Sequence, residues 1–169
     1  QLTNLFPRLS VLENVRLAVQ DRSSHGFSLF SMADSHVEYT EQAMHFLAQC
    51  GLQDRAADQA SNLSHGDQRK LEVSIMLALE KDILMFDEPT AGMSVDEAPV
   101  ILDLIQQIKA DHAKTILLVE HKMDVIRTLA DRIIVLHNGF LVADGDPLEV
   151  MNSPIVQEAY LGTGGADHV

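Results

Sequence analysis

The sequence predicts an α/β fold in which a helical part comes first and a largely parallel sheet follows. Residues 1–82 show amphipathic helical spacing and little strand signal, whereas residues 83–161 alternate short apolar runs with helical stretches. Strands that alternate with helices are typical of a parallel sheet with crossover helices. The composition agrees with a globular domain, because 46% of the 169 residues are hydrophobic and 22% are charged.

Three stretches in the first part place apolar residues at helical spacing, and a Ser-rich loop separates the first two. The predicted helices cover residues 10–20, 36–50 and 67–81, and the predicted loop covers 22–35. Gly51 directly follows the second helix, and a glycine often ends a helix at this position.

Short apolar runs in the second part predict strands. Ile83–Phe86 and Thr115–Val119 have the composition expected of strands buried on both faces. Ile133–Leu136 and Leu141–Ala143 flank Asn138-Gly139, a pair that is typical of a two-residue hairpin turn. Helices are predicted from Pro99 onward, over 122–130 and over 147–161, and the tail 162–169 is expected to fray.

Charge and cysteine content argue against several classes of protein. The 12 Lys and Arg against 25 Asp and Glu give a net charge of −13, whereas a nucleic-acid surface needs a basic stripe. We therefore expect no nucleic-acid partner. The single cysteine, Cys50, excludes an internal disulfide. The sequence also lacks a run of 18 uncharged apolar residues that could span a bilayer.

The strongest chemical signal is a pair of acids at the end of a predicted strand. Asp87 and Glu88 follow Ile83–Phe86, and open α/β sheets bind ligands at the carboxyl ends of their strands. An Asp there can hold Mg²⁺ in a phosphate-processing site, and a neighbouring Glu can orient or deprotonate a water molecule. A solvated acidic turn would show the same residues, so both interpretations stand at this point.

Two further signals lie at a helix start and at a strand end. Ser64-His65-Gly66-Asp67 opens the third predicted helix, and glycine there lets a phosphate approach the free N–H groups. A plain serine cap is the alternative. His121 closely follows Thr115–Val119, where it could reach a terminal phosphate or the attacking water. An ordinary surface histidine is the alternative for that position.

Taken together, these motifs resemble the ATP-binding subunit of an ABC transporter in both order and spacing. The likeness identifies LSHGD at 63–67 as the signature loop, ILMFDE at 83–88 as the Walker B strand and His121 as the switch histidine. It implies the C-terminal part of an ABC-type P-loop ATPase domain. Residues 1–82 would be a Q-loop remnant and helical signature subdomain, 83–161 half of a RecA-like parallel sheet core, and 162–169 a tail.

The resemblance also implies ATP and Mg²⁺ as ligands and a role for each motif. The residues that would contact ATP held by a second subunit are Ser64, His65, Gly66 and Asp67, and the D-loop would contain Gly92, Met93 and Ser94. The catalytic residues would be Glu88, acting on the water, and His121, acting on the γ-phosphate. The residues serving Mg²⁺ would be Asp87 and, at the start of a Q-loop-like QLTNLF, Gln1.

Three stretches narrow the resemblance to subunits that power uptake of branched-chain amino acids and to the related urea and amide systems. They are LSHGDQRKLE, DEPTAGMSVDE and EVMNSPIVQEAYLG. The chain departs from the wider family at Asp67, where Gln is usual, and at Ser94, where Asp is usual. The implied partners are a second ATP-binding subunit, transmembrane permease subunits and, indirectly, a solute-binding protein. The implied location is the cytoplasmic face of a bacterial inner membrane.

No P-loop occurs in these 169 residues, because none of the nine glycines is followed by Lys in G-x-x-x-x-G-K-[ST]. The chain thus resembles an ABC ATPase cut at its Q-loop, and we expect it not to hydrolyse ATP alone. One alternative is the C-terminal lobe of a chromosome-maintenance ATPase, which should show long heptads and a basic surface. Another is a non-catalytic ABC-derived domain, which would be expected to lose Glu88 or His121.

Overall fold

A computed structural model describes residues 5–22, 32–96, 98–110, 112 and 114–161, and at 32–36 and 159–161 it describes the backbone alone. The chain divides into two units, Gln1–Val119 and Glu120–Val169. The predicted functional division at residue 82 differs from this boundary and stays a prediction. The predicted tail 162–169 lies outside the described residues.

Three helices form the first part of the first unit, as the sequence predicts. They are α1 (Val11–Arg22), α2 (Met32–Gln49) and α3 (His65–Ala78). Helix α2 starts four residues earlier than the predicted 36–50, so residues 32–35 are helical and do not belong to the predicted loop. Residues 23–31 of that loop lie outside the described part of the chain.

The three helices share one apolar core because each buries a single stripe. In α1 the buried apolar residues are Val11, Val15, Ala18 and Val19, at the i, i+4, i+7 and i+8 spacing of one helix face. They join a cluster whose other members are Ala43, Leu47, Leu52, Ala60, Leu63, Leu71 and Ala78. Cys50 is buried beside this core at the end of α2, and burial raises the pKa of its thiol to about 11.

A buried asparagine and a short turn fix the start of α1. The Asn14 side chain accepts from the Phe6 N–H at 2.8 Å and donates to the Phe6 carbonyl at 3.1 Å, so it holds residues 6–10 against the helix. The segment 53–58, which begins with a 3-10 turn at Gln53–Arg55, receives two bonds from α1. The Val11 N–H donates to Asp58 O at 2.9 Å and the Leu12 N–H to Ala56 O at 3.0 Å.

Among the described residues of the first unit, two strands pair in parallel. Strand β1 (Ile83–Asp87) pairs with β2 (Thr115–Val119) in parallel, with Ile83 opposite Thr115 and Asp87 opposite Val119. Helix α4 (Ala98–Ala110) connects them and buries one stripe of four apolar residues. That stripe is Ile101, Leu104, Ile105 and Ile108. The β1–α4–β2 order confirms the predicted alternation and the predicted parallel pairing.

The prediction that these strands are buried on both faces is wrong. In β1, Leu84 and Phe86 are buried, but Ile83 is 61% and Met85 65% exposed. Leu117 of β2 lies opposite Met85 and is also exposed. Burial on both faces requires a layer on each side of a sheet. In the described part of the first unit, only one face of this strand pair is covered.

The described residues of the second unit, 120–161, form a hairpin and three short helices. Helix α5 (Met123–Leu129) precedes β3 (Ile133–His137) and β4 (Phe140–Gly145), which pair antiparallel. Asn138 and Gly139 have φ of 51° and 81°, as a two-residue primed turn requires, so the predicted hairpin is confirmed. Helices α6 (Pro147–Met151) and α7 (Pro154–Leu161) follow. Among the described helices, none is long and apolar enough to cross a membrane.

Candidate functional site

The start of α3 is a capped helix N-terminus. Ser64 is its N-cap, and the Ser64 Oγ accepts from the Asp67 N–H at 3.1 Å. The Gln68 side chain folds back and donates to the Leu63 carbonyl at 3.2 Å, which fixes the residue before the cap. Capping of this kind satisfies some of the N–H groups that a helix leaves unpaired at its first turn. The remaining ones, with the helix dipole, favour an anion at this end.

The LSHGD segment presents its residues unequally to solvent. Ser64 and His65 are exposed, Gly66 is buried and Asp67 is half-buried. The buried Gly66 keeps the backbone of the first turn free of side-chain bulk. The structure is compatible with both interpretations of Ser64. The residue caps the helix, and its hydroxyl lies at an exposed helix N-terminus.

Asp67 holds a carboxylate between two cations. Lys70 Nζ donates to Asp67 Oδ1 at 2.9 Å, and an Arg55 guanidinium N–H donates to Asp67 Oδ2 at 3.3 Å. Partial burial acts to raise the pKa of Asp67, but the hydrogen bonds from Lys70 and Ser64 and the Arg55 charge outweigh it and lower that pKa. Asp67 is consequently an anion at neutral pH.

The two predicted acids lie in sequence at the end of β1. Asp87 is exposed and is the last residue of the strand. The Glu88 N–H donates to the Val119 carbonyl at 3.0 Å, which extends the parallel pairing by one residue. Glu88 then leaves the strand direction with φ of 43°, an uncommon backbone conformation for a residue with a side chain. Asp87 and Glu88 are thus adjacent carboxylates at the strand end, and their backbone conformations differ.

Asp87 also borders a cavity of about 480 Å³ that lies between β1 and α3. The α3 side of the cavity includes Arg69 and Glu72, and the guanidinium of Arg69 donates to Glu72 at 2.6 Å. Its apolar wall includes Met76 and Met85. The cavity therefore connects the helix that begins with the signature residues to the end of the Walker B-like strand.

Residues of the predicted signature loop and D-loop lie close together in the first unit. Gly92 has φ of +73°, and a β-carbon added there would lie 3.8 Å from Nε2 of His65. The D-loop backbone is held by the Met93 N–H, which donates to Thr90 O at 3.3 Å, and by the Ala98 N–H, which donates to Ser94 O at 3.1 Å. Glycine at position 92 therefore supplies the left-handed turn, and a β-carbon there would make only an ordinary van der Waals contact with the imidazole.

The remaining predicted residues lie elsewhere. His121 is exposed in the second unit, where its N–H and that of Lys122 donate to Glu120 Oε2 at 3.1 and 3.2 Å. Its predicted role toward a γ-phosphate stays a prediction. Gln1 lies outside the described residues. Among the described side chains, no three His, Cys, Asp or Glu gather as a metal site.

Sequence reasoning missed the two cations on Asp67. Lys70 could have been identified, because residues three apart lie on one helix face. Arg55 could not, since it precedes Asp67 by 12 residues and reaches it from a separate turn. Asn14 carried no local signal either, because its partners lie up to eight residues away.

Comparison with known protein families gives two matches. Residues 1–91 match a family model described as ABC transporter, which is more than half of the chain. Residues 141–166 match a second model, described as branched-chain amino acid ATP-binding cassette transporter. The second match covers the end of the hairpin and the C-terminal helices, including the stretch that the sequence alone associates with this subfamily.

Curated relatives of this chain are ATP-binding proteins of transport systems. The high-affinity branched-chain amino acid transport ATP-binding protein LivG of Salmonella typhimurium is 38% identical over 169 residues, covering 96% of this chain. BraF of Pseudomonas aeruginosa, which carries the same description, is 34% identical over 167 residues. The chain spans 66% of the length of each of these relatives. Neither relative supports the chromosome-maintenance alternative.

Solved structures agree on the fold. An ATP-binding cassette of an ABC transporter in its ADP conformation superposes with a TM-score of 0.72 at 25% identity, covering 92% of this chain and 64% of that one. A dimeric cassette in a post-hydrolysis state, bound to ADP and Pi, gives a TM-score of 0.71 at 26% identity. It covers 87% of this chain and 60% of that one.

Proposed function

The chain belongs to the ABC transporter family of ATP-binding proteins, and on that premise we propose that it is part of an ATP-hydrolysing transport subunit. The subunit would energise import of branched-chain amino acids or related small solutes. The observation that carries the proposal is the meeting of two loops in one unit. The Ser64-capped start of α3 lies beside the D-loop at Gly92, so both loops can face one nucleotide.

The helix start supplies the contact for an anion. A γ-phosphate approaching Ser64 would meet an exposed hydroxyl, the positive end of the α3 dipole and a backbone cleared of bulk by Gly66. These 169 residues contain no P-loop that could hold that phosphate. We propose that a second ATP-binding subunit holds it and that Ser64, His65, Gly66 and Asp67 act in trans.

The end of β1 would supply the residue that acts on the water, and His121 would act with it. Glu88 would orient the attacking water and accept its proton, which a carboxylate next to the strand end can do. His121 would donate to the γ-phosphate as charge develops there. Asp87, with Gln1 near the chain start, would hold Mg²⁺, which proteins commonly bind through one or two carboxylates plus substrate phosphates. When bound, the ion would neutralise phosphate charge.

The proposed assembly follows from the same relatives. It would contain a second ATP-binding subunit, transmembrane permease subunits and, indirectly, a solute-binding protein. Its location would be the cytoplasmic face of a bacterial inner membrane. A nucleic-acid partner does not fit, because the net charge is −13.

The first test is Glu88→Gln in the full-length protein. We expect ATP binding to persist while single-turnover hydrolysis falls by about 10²–10⁴-fold, because the positioned base is lost. Glu149→Gln, an exposed glutamate of α6, is the matched control and should keep the parent rate. A Glu88→Gln rate within a few-fold of the parent would refute the proposal. His121→Ala should slow hydrolysis with less change in ATP affinity.

The second test addresses the trans contact. A Ser64→Arg subunit is mixed with a subunit whose P-loop lysine is replaced, both in full-length form. The mixed dimer should retain one site in which both motifs are intact, and hydrolysis should recover relative to either variant alone. Absence of recovery at any mixing ratio, in dimers shown to form, would contradict action in trans.

A further inference from the structure

The signature loop departs from the usual family residue at Asp67, and the structure shows what accompanies that departure. The Asp67 N–H donates to the cap oxygen of Ser64 at 3.1 Å, so this residue holds the cap in place. Its two carboxylate oxygens are engaged separately, one by Lys70 and the other by Arg55. Backbone and side chain of Asp67 therefore link the helix start to two cations.

The negative charge of Asp67 conflicts with the proposed ligand. A carboxylate in the first turn interacts favourably with the helix dipole. It also repels a phosphate that approaches the same turn. Two cations within hydrogen-bond distance offset that repulsion. Asp58 is the other anion of the cluster and pairs with Arg55, so the charges of Arg55, Lys70, Asp58 and Asp67 cancel.

Arg55 and Lys70 lie on different elements of the fold. Lys70 lies on α3 itself, three residues beyond Asp67, and moves with that helix. Arg55 ends a 3-10 turn outside α3, and its carbonyl accepts from the Asp58 N–H at 2.9 Å. Because Asp58 O in turn accepts from Val11 of α1, Arg55 connects the signature helix to α1 through a short chain of bonds.

We propose that Arg55 is a positioning residue for the γ-phosphate contact, acting through Asp67. It engages and neutralises the Asp67 carboxylate, so that the Ser64 cap and the α3 N-terminus stay available to the anion. This inference rests on the proposed function. Arg55 would thereby compensate for the negative charge of Asp67, at a position where glutamine is usual.

The test is a double-mutant cycle in the full-length protein, with Arg55→Gln, Asp67→Gln and the pair. Arg55→Gln should raise KM for ATP on the order of three- to tenfold with a smaller change in kcat, because it leaves an uncompensated anion. Asp67→Gln supplies the background in which the charge and the need for its compensation are both absent, and its own KM is the reference for that background. In the Asp67→Gln background, Arg55→Gln should change KM little.

Arg132→Gln is the matched control, because Arg132 forms a similar pair with Asp144 at 2.7 Å in the second unit. It should keep the parent KM. An equal KM increase from Arg55→Gln in both backgrounds would overturn the inference, since Arg55 would then act independently of Asp67. An unchanged KM in Arg55→Gln would overturn it as well.

Failure of the proposed function would give a different experimental result. If Glu88→Gln does not reduce hydrolysis in the same preparation, the ATPase assignment fails and the Arg55 inference fails with it. If Glu88→Gln abolishes hydrolysis and the cycle shows no coupling, only the Arg55 inference fails.

Discussion

Two neighbouring residues of β1 test how the strand pair is covered. Phe86 is 6% exposed and Met85 is 65% exposed, although they are adjacent and both strongly apolar. We compare Phe86→Ala and Met85→Ala in the 169-residue chain. If burial alternates along β1, the first substitution should destabilise the chain far more than the second.

The magnitudes follow from burial. Replacing a buried Phe by Ala costs about 3–5 kcal/mol, and replacing a fully buried Met costs about 2–5 kcal/mol. Since 65% of Met85 is exposed, we scale its cost to about 1 kcal/mol. The two variants should therefore differ by about 2–4 kcal/mol in free energy of unfolding. With a urea m-value near 2 kcal/mol/M, that difference separates their midpoints by roughly 1–2 M.

Urea unfolding followed by far-UV circular dichroism measures both midpoints, and the absence of Trp makes fluorescence a poor probe here. The slope m should be the same in both variants, so that the midpoint alone reports stability. Equal midpoints for Phe86→Ala and Met85→Ala would refute the alternation. A repeat at tenfold lower protein concentration shows whether self-association covers Met85.

Three further predictions concern the helix start and the D-loop. The lowered pKa of Asp67 stabilises the fold above the unfolded pKa of about 3.9, so stability should fall as pH drops below about 4. In a pH series of unfolding midpoints, Asp67→Asn should flatten that fall. Ser64→Ala should cost about 0.5–2 kcal/mol in a urea melt through loss of the cap. Gly92→Ala and Gly51→Ala should each cost about 1–2 kcal/mol in a urea melt, because both positions have positive φ and a β-carbon clashes with a neighbour at neither.

Features set by neighbouring residues could be predicted from the sequence. Asn138-Gly139 fixed the hairpin because both residues adopt positive φ easily, and the structure has them at 51° and 81°. The predicted third helix began at 67, two residues after the observed start at His65, and Ser64 is the cap that the sequence offered there, because its side chain satisfies an N–H only a few positions away. The order of helices and strands after residue 82 was predictable for the same reason.

Features that depend on distant parts of the chain could not be predicted. The apolar run Ile83–Phe86 indicates side chains that are able to be buried. It does not indicate whether another layer of the fold covers each side of the strand. Arg55 reaches Asp67 across 12 residues, from a turn with no pattern that points to α3. Contacts of this kind form when separate elements pack together, and the local periodicity of the sequence does not predict them.

The alternation in β1 has an electrostatic consequence for Asp87. Ile83, Met85 and Asp87 point to the same face, so the carboxylate lies at the end of an exposed apolar strip that continues onto Leu117 and Val119. In water, a high dielectric weakens the attraction between a carboxylate and a cation. Anything that covers this strip removes water from beside Asp87 and strengthens that attraction. The proposed affinity of Asp87 for Mg²⁺ would therefore increase when water is excluded from this sheet face.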